Sequence, residues 1–167
     1  MMPKIIAIAN QKGGVGKTTT NINLGASLAQ LGKRVLTIDI DPQGNTTSGL
    51  GIDKEARSLI SIYDILINDA DINNGIKKTK VKNLHILASN LPLAGAEVEL
   101  VMMDRREYIL KKAISQIREN YDYILIDCPP SLGLLTINAF TAADSVLVPI
   151  QCEFFALEGL TQLLNTI

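Results

Sequence analysis

Gln11-Lys12-Gly13-Gly14-Val15-Gly16-Lys17-Thr18-Thr19 is the stretch that settles the architecture. Before it lies Lys4-Ile5-Ile6-Ala7-Ile8-Ala9, apolar enough for a buried strand. After it, Thr18 to Leu31 carries Leu24, Leu28 and Leu31 at helical spacing. Strand, glycine loop and helix in that order are the context of a phosphate loop. Glycines let the backbone curl until successive N–H groups point inward at phosphate oxygens, and the helix N-terminus adds partial positive charge. On this reading Gly13, Gly14, Val15, Gly16, Lys17, Thr18 and Thr19 cradle the phosphates of a nucleotide. Lys17 reaches the outer phosphates, and the Thr18 hydroxyl becomes a ligand for Mg²⁺.

The 167 residues suffice for a core that buries roughly 70% of the unfolded surface. Apolar content of 47% and charged content of 20% are those of an ordinary globular protein. A net charge of −1 advertises neither nucleic acid nor membrane. With no Trp and 4% aromatics, the chain lacks the stacking platforms used on single strands. Cys128 and Cys152 form no C-x-x-C pair and point to a reducing compartment rather than a disulfide scaffold. The N-terminus lacks a signal-peptide pattern, and no apolar run approaches a membrane span.

Further strand-like runs occur at Val35–Ile40, Leu84–Ala88, Tyr123–Ile126 and Val146–Ile150. Together with Ile5–Ala9 they are continuous rather than alternating, as in a parallel sheet covered on both faces. Between them, Ile109, Leu110, Ala113, Ile114 and Ile117 mark one face of a helix, and a shorter amphipathic segment runs from Ser61 to Ile67. Residues 41–60 and 68–83 hold most of the polar and glycine punctuation and read as loops. The expected fold is therefore α/β, a doubly wound, mostly parallel sheet in three layers, with ligands at the carboxyl ends of the strands. Residues 1–167 read as one such domain. A helix patterned on Leu157, Leu160, Leu163 and Leu164 runs to Ile167 without a cap, so further strands and helices are expected beyond it.

Acids follow two of the strands at that ligand edge. Asp39-Ile40-Asp41-Pro42-Gln43-Gly44-Asn45 leaves the second run, and a carboxylate there can orient water for in-line attack or hold the metal's water shell. An Asx-type turn at the strand end is the alternative. Tyr123-Ile124-Leu125-Ile126-Asp127-Cys128-Pro129-Pro130 places Asp127 as a Walker B acid beside Thr18, and its prolines give a loop able to respond to the γ-phosphate.

Gln11 stands where the common loop has glycine, and Lys12 is an added cation. The resulting K-G-G-x-G-K-T-T resembles the deviant Walker A loop of the ParA/MinD group of ATPases. D-P-Q-G-N at 41–45, D-x-P-P at 127–130 and Val148–Leu160 are similar to the ParA/Soj branch of that group, and the resemblance covers nearly the whole chain. It implies a slow ATPase (ATP with Mg²⁺) that acts as a switch in chromosome or plasmid partitioning. It implies a homodimer closed around ATP, with Lys12 crossing to the opposite nucleotide, Asp41 positioning the attacking water and Asp39 supporting the magnesium site less directly. It also implies non-specific DNA binding in the ATP state, stimulation by a ParB-like centromere-binding partner, no membrane, and a nucleoid-associated cytoplasmic location. A MinD-like membrane-associated regulator of the division site and a small-molecule ATP-dependent ligase on the same fold stay open as alternatives.

Other features read as structural. His85 is a strand residue, Cys128 and Cys152 are small buried residues, and the Met102-Met103 pair is packing. Lys77, Lys78, Lys80 and Lys82 form the basic run of the chain and are expected in a solvated loop.

Overall fold

The computed structural model describes residues 3–151. Among them six strands form one sheet in the order β3-β4-β2-β5-β1-β6. The strands are β1 (Lys4–Ile8), β2 (Val35–Asp39), β3 (Ile76–Lys78), β4 (Leu84–Leu87), β5 (Tyr123–Asp127) and β6 (Ser145–Leu147). All neighbours are parallel except β3, which runs antiparallel to β4. The helices are α1 (Lys17–Gln30), α2 (Asn45–Gly49), α3 (Ile62–Ile67), α4 (Ile72–Gly75), α5 (Ala96–Val101), α6 (Ile109–Ser115) and α7 (Leu134–Ala142).

Both faces of the sheet are covered, as its continuous apolar strands require. On one face Ile8, Val35, Leu84, Ile86 and Leu125 pack with Ala29 of α1. On the other, Ile5, Leu36, Ile38, Ile124 and Ile126 pack with α3, α5, α6 and α7 through Ile62, Leu100, Leu110, Ile114 and Leu135. The three-layer doubly wound fold is thus the expected one, and all five expected strands are present, four of them within one residue at each end. β6 is the shortest relative to expectation. It stops at Leu147, and Pro149, which has no N–H for the ladder, supplies its carbonyl to Asn10 instead.

Three expectations are corrected. β3 lies inside the stretch read as a loop, where its Lys77 and Lys78 sit on an edge strand and Lys78, Lys80 and Lys82 are exposed. Edge lysines discourage pairing with a further strand. Leu31, at the end of the helical apolar spacing, is 76% exposed, and of the methionine pair read as packing Met102 is 87% exposed while Met103 packs against the core. The buried stripe of α1 is instead Lys17, Asn21, Gly25 and Ala29, with Leu24 and Leu28 half-buried at its flanks. Gly25 serves close approach, since a Cβ there would come within 3.3 Å of Leu84 Cδ1.

The helices α2, α4, α5 and α7 were not legible. α7 is apolar nearly all round, so no 3.6-residue period marks it. The expected amphipathic segments at α3 and α6 are present. α3 starts with a capping box, in which Asp64 Oδ2 accepts from Ser61 N at 2.8 Å and from Ser61 Oγ at 2.9 Å. His85 is a β4 residue as expected, its Nδ1 2.9 Å from Tyr121 Oη. Cys128 is a free, fully buried thiol. Cys152, the 153–160 part of the family-like block and the predicted final helix lie outside the described residues.

Candidate functional site

The turn after β1 is fastened before it curls. Asn10 Oδ1 accepts from Lys12 N at 3.0 Å, and Asn10 Nδ2 donates to Pro149 O at 2.8 Å. Gln151 Nε2 donates to Gly14 O at 3.1 Å, which ties the loop to the segment after β6. Val15 is buried and anchors the loop in the core. Gly14 and Gly16 have φ of 74° and 91°, and a Cβ on either would meet nothing within 4 Å. Backbone handedness, not space, therefore requires glycine at both. Gly16 is the N-cap of α1, whose first turn carries no acidic residue and no side-chain cap, so its N–H groups are presented to the loop's concavity.

That concavity is a cavity of about 350 Å³. Gly13, Gly14, Gly16, Lys17, Thr18 and Thr19 form one side, Asp41, Gln43 and Asn45 another, and Pro130 closes it. Three segments far apart in sequence thus meet at the carboxyl edge of the sheet. Lys17 is 7% exposed, and its Nζ donates to Lys12 O at 3.2 Å. Burial lowers its pKa, opposed by the negative charge of Asp127 and Asp41. Lys12 is exposed and does not line the cavity.

The acids differ. Asp41 lines the cavity, and its Oδ1 also accepts from Gln43 N at 2.9 Å, so the Asx turn and the site residue coexist. Asp127 is 1% exposed, and its Oδ2 accepts from Thr18 Oγ1 at 2.9 Å and Thr46 Oγ1 at 2.7 Å. Its Oδ1 is buried without a partner. Burial raises the Asp127 pKa, while the Thr46 and Thr18 hydroxyls and Lys17 pull it back. Asp39 is fully buried and outside the cavity lining. Its Oδ2 accepts from Thr47 N and Oγ1 at 2.8 and 2.7 Å, and its Oδ1 from Asp41 N at 3.2 Å. Burial, opposed by Thr47 and reinforced by Asp127, lifts its pKa to about 7. Asp39 therefore fastens α2 and the Asp41 segment and acts on the cavity only through them.

These residues suit a magnesium–nucleotide. The orphaned Asp127 oxygen and the Thr18 hydroxyl are the sparse protein set that leaves most positions to phosphate and water. Among the described residues no cluster of three or more His, Cys, Asp or Glu could hold an ion by itself. Sequence reasoning missed Asn21, Thr46, Thr47 and Ser89, which form the polar floor of the site. One signal was available for Asn21, which follows Lys17 by four residues and so shares its helix face.

A family described as an AAA domain matches residues 3–167. The chain is 64% identical over 166 residues to the sporulation initiation inhibitor protein Soj of Bacillus subtilis, covering 99% of this chain and 65% of that protein. It is 55% identical to the chromosome partitioning protein ParA of Caulobacter vibrioides, covering 98% of this chain and 62% of that one. The chain thus spans slightly less than two thirds of these relatives. Among solved structures, a cobyrinic acid a,c-diamide synthase from Mycobacterium smegmatis with bound ADP and magnesium superposes with a TM-score of 0.94 at 45% identity, over 99% of this chain and 67% of that one. An ATP complex of an aspartate variant of Cyanothece McdA superposes with a TM-score of 0.92 at 28% identity, over 99% and 63%. The chain belongs to this AAA domain family, within its ParA/Soj group.

Proposed function

We propose that this chain is the nucleotide-binding and hydrolysing part of an ATP-dependent partition switch. One observation carries the reading: the cavity that joins the curled loop, Lys17, Thr18 and Asp41 above a buried Asp127 with an unused oxygen. Loop N–H groups from Gly13 to Thr19 would hold phosphate oxygens, and Lys17 would offset their charge. Mg²⁺, held by the Thr18 hydroxyl and by Asp127 through water, would neutralise charge on the transferring phosphoryl group. Asp41, at the cavity wall, would orient the attacking water. Asp39 would support the metal site indirectly, by holding α2 and the Asp41 backbone in place. Pro130 brings the loop after β5 within reach of the outer phosphate. The continuous sheet supports reading residues 1–167 as a single ATPase domain, and the shorter span relative to Soj leaves other parts of such a protein to be supplied.

In the full reading, ATP closes two copies face to face and the exposed Lys12 of each reaches the opposite nucleotide. The dimer then holds DNA through its phosphates, and a ParB-like partner stimulates hydrolysis and release on the nucleoid in the cytoplasm. Light scattering with a non-hydrolysed ATP analogue tests this. Wild type should dimerise, Lys12→Ala should stay monomeric while binding nucleotide, and Lys17→Ala should lose on the order of a hundredfold in affinity. Dimerisation by Lys12→Ala equal to wild type would remove the cross-subunit role.

A second reading is favoured by the synthase superposition: ATP-dependent amidation of a carboxylate on the same fold. The higher identity to the partition proteins weighs against it. ATP-dependent retention of DNA on a filter supports the switch; ATP turnover that depends on a carboxylate acceptor supports the synthase. For the membrane-regulator alternative, no helix among the described residues is long and apolar enough to cross a bilayer, and vesicle sedimentation tests surface attachment.

A further inference from the structure

We propose that Thr46 is a positioning residue that fixes Asp127 for the metal, with Asn21 setting the direction of its proton. The proposal rests on the magnesium–nucleotide reading of the cavity and adds to it a part that no phosphate-loop motif contains. Thr46 is fully buried in α2, two residues beyond the Gly44 that closes the Asp41 segment. Its Oγ1 lies 2.7 Å from Asp127 Oδ2 and 3.2 Å from Asn21 Nδ2. A hydroxyl has one proton to give and lone pairs with which to accept. The carboxylate can only accept, so the Thr46 proton goes to Asp127 and the Thr46 lone pair takes the Asn21 amide proton. The same Asn21 amide donates to Thr37 Oγ1 at 2.6 Å, which pins it between α1 and β2.

The geometry has a directional consequence. Two hydroxyls, Thr18 from the phosphate-loop helix and Thr46 from α2, saturate one oxygen of Asp127 and leave the other as its unused acceptor. Without Thr46 a single hydroxyl would hold the carboxylate, which could then rotate and exchange its oxygens. The tie also runs outward, because Gln43 and Asn45, on either side of Gly44, line the cavity. Thr46 therefore clamps the Asp41-bearing segment to the metal acid from beneath.

The test separates metal affinity from packing. ADP binding to the full chain is measured by calorimetry in EDTA and then across a Mg²⁺ series, for wild type, Thr46→Val, Thr46→Ala and Thr46→Ser. Valine keeps the volume and removes the donor; alanine adds no bulk and serves if valine does not fold. The expected result is about a tenfold higher Mg²⁺ requirement for both, the scale of losing a residue that orients a metal ligand. ADP affinity in EDTA should stay within about twofold, and serine should restore the wild-type requirement. An unchanged Mg²⁺ requirement in a folded valine or alanine variant overturns the proposal. Equal losses with and without metal also overturn it, by assigning Thr46 to packing alone. If wild type binds no ADP in either condition, the nucleotide reading itself fails and takes this inference with it.

Discussion

Asp39 and Asp127 end adjacent strands and are paired in register, yet the structure uses them differently. Both are almost fully buried. Asp39 accepts from Thr47 N, Thr47 Oγ1 and Asp41 N, so both of its oxygens are occupied by its own fold. Asp127 gathers two hydroxyls on one oxygen and leaves the other bare. The fold tolerates a buried, half-satisfied carboxylate only at a cost, whereas a saturated one belongs to the scaffold. Position at the ligand edge makes both acids candidates; the bonding separates scaffold from site.

The comparison breaks most visibly at Asp39. Replacing Asp39 with Ala strands three donors, two on Thr47 and one on Asp41, in a dry interior. The expected loss is about 3 kcal/mol, read as a fall in the urea midpoint at unchanged slope. A loss under about 1 kcal/mol would mean that water or a rearranged α2 replaces the carboxylate, and the scaffold assignment would go. Asp127→Asn should behave oppositely. Its Oδ1 has no partner to lose, so stability should shift by less than about 1 kcal/mol, while Mg²⁺-dependent ADP affinity falls roughly 10–100-fold. Equal stability losses in the two variants would erase the distinction.

Titration sharpens the same contrast. Asp39 holds its proton to about pH 7 in the folded chain, against 3.8 as its ordinary value. Because folding raises this pKa, the folded state binds more protons between those limits, and the contribution to stability is lost as pH rises from about 4 to 7. Three pKa units set a ceiling of about 4 kcal/mol, and relaxation of the buried pair should leave about 2 kcal/mol. Urea titrations without nucleotide or metal at pH 5 and 7.5 should show that difference in wild type, and Asp39→Asn should flatten it. An identical pH slope in the variant would show that Asp39 is ionised throughout.

How much of this was legible follows physical lines. The loop at 11–19 could be read because its chemistry depends on consecutive residues: two glycines with positive φ, a lysine and a hydroxyl at the start of a helix. Strands β1, β2, β4 and β5 were legible because burial on both faces leaves unbroken apolar runs. Thr46 and Thr47 were not, since hydroxyls in a polar stretch look like any loop until the fold places Asp127 and Asp39 beneath them. Leu31 misled for a related reason. Helical spacing gives a stripe, but Gly25 and Asn21 show that this helix approaches the sheet along its small and polar side.

The mildest test concerns another carboxylate, Glu97 of α5. The N-cap of α7, Gly133, has no side chain to offer, and Glu97 Oε1 accepts from Leu135 N at 3.3 Å in its place. A Cβ on Gly133 would collide with that oxygen, although the glycine φ of −78° suits any residue. Gly133→Ala therefore carries no backbone strain and must instead push the flexible Glu97 side chain off the helix end. The expected loss is about 1 kcal/mol, the worth of a helix cap, with Mg²⁺-dependent ADP affinity unchanged. Glu97→Ala should lose a similar amount, and the double variant no more than either alone, because both remove the same bond. Additive losses would show that Gly133 is required for something other than the approach of Glu97. The loop after Asp127 would then have a constraint of its own, rather than one imposed by a carboxylate that, like Asp39, serves only the scaffold.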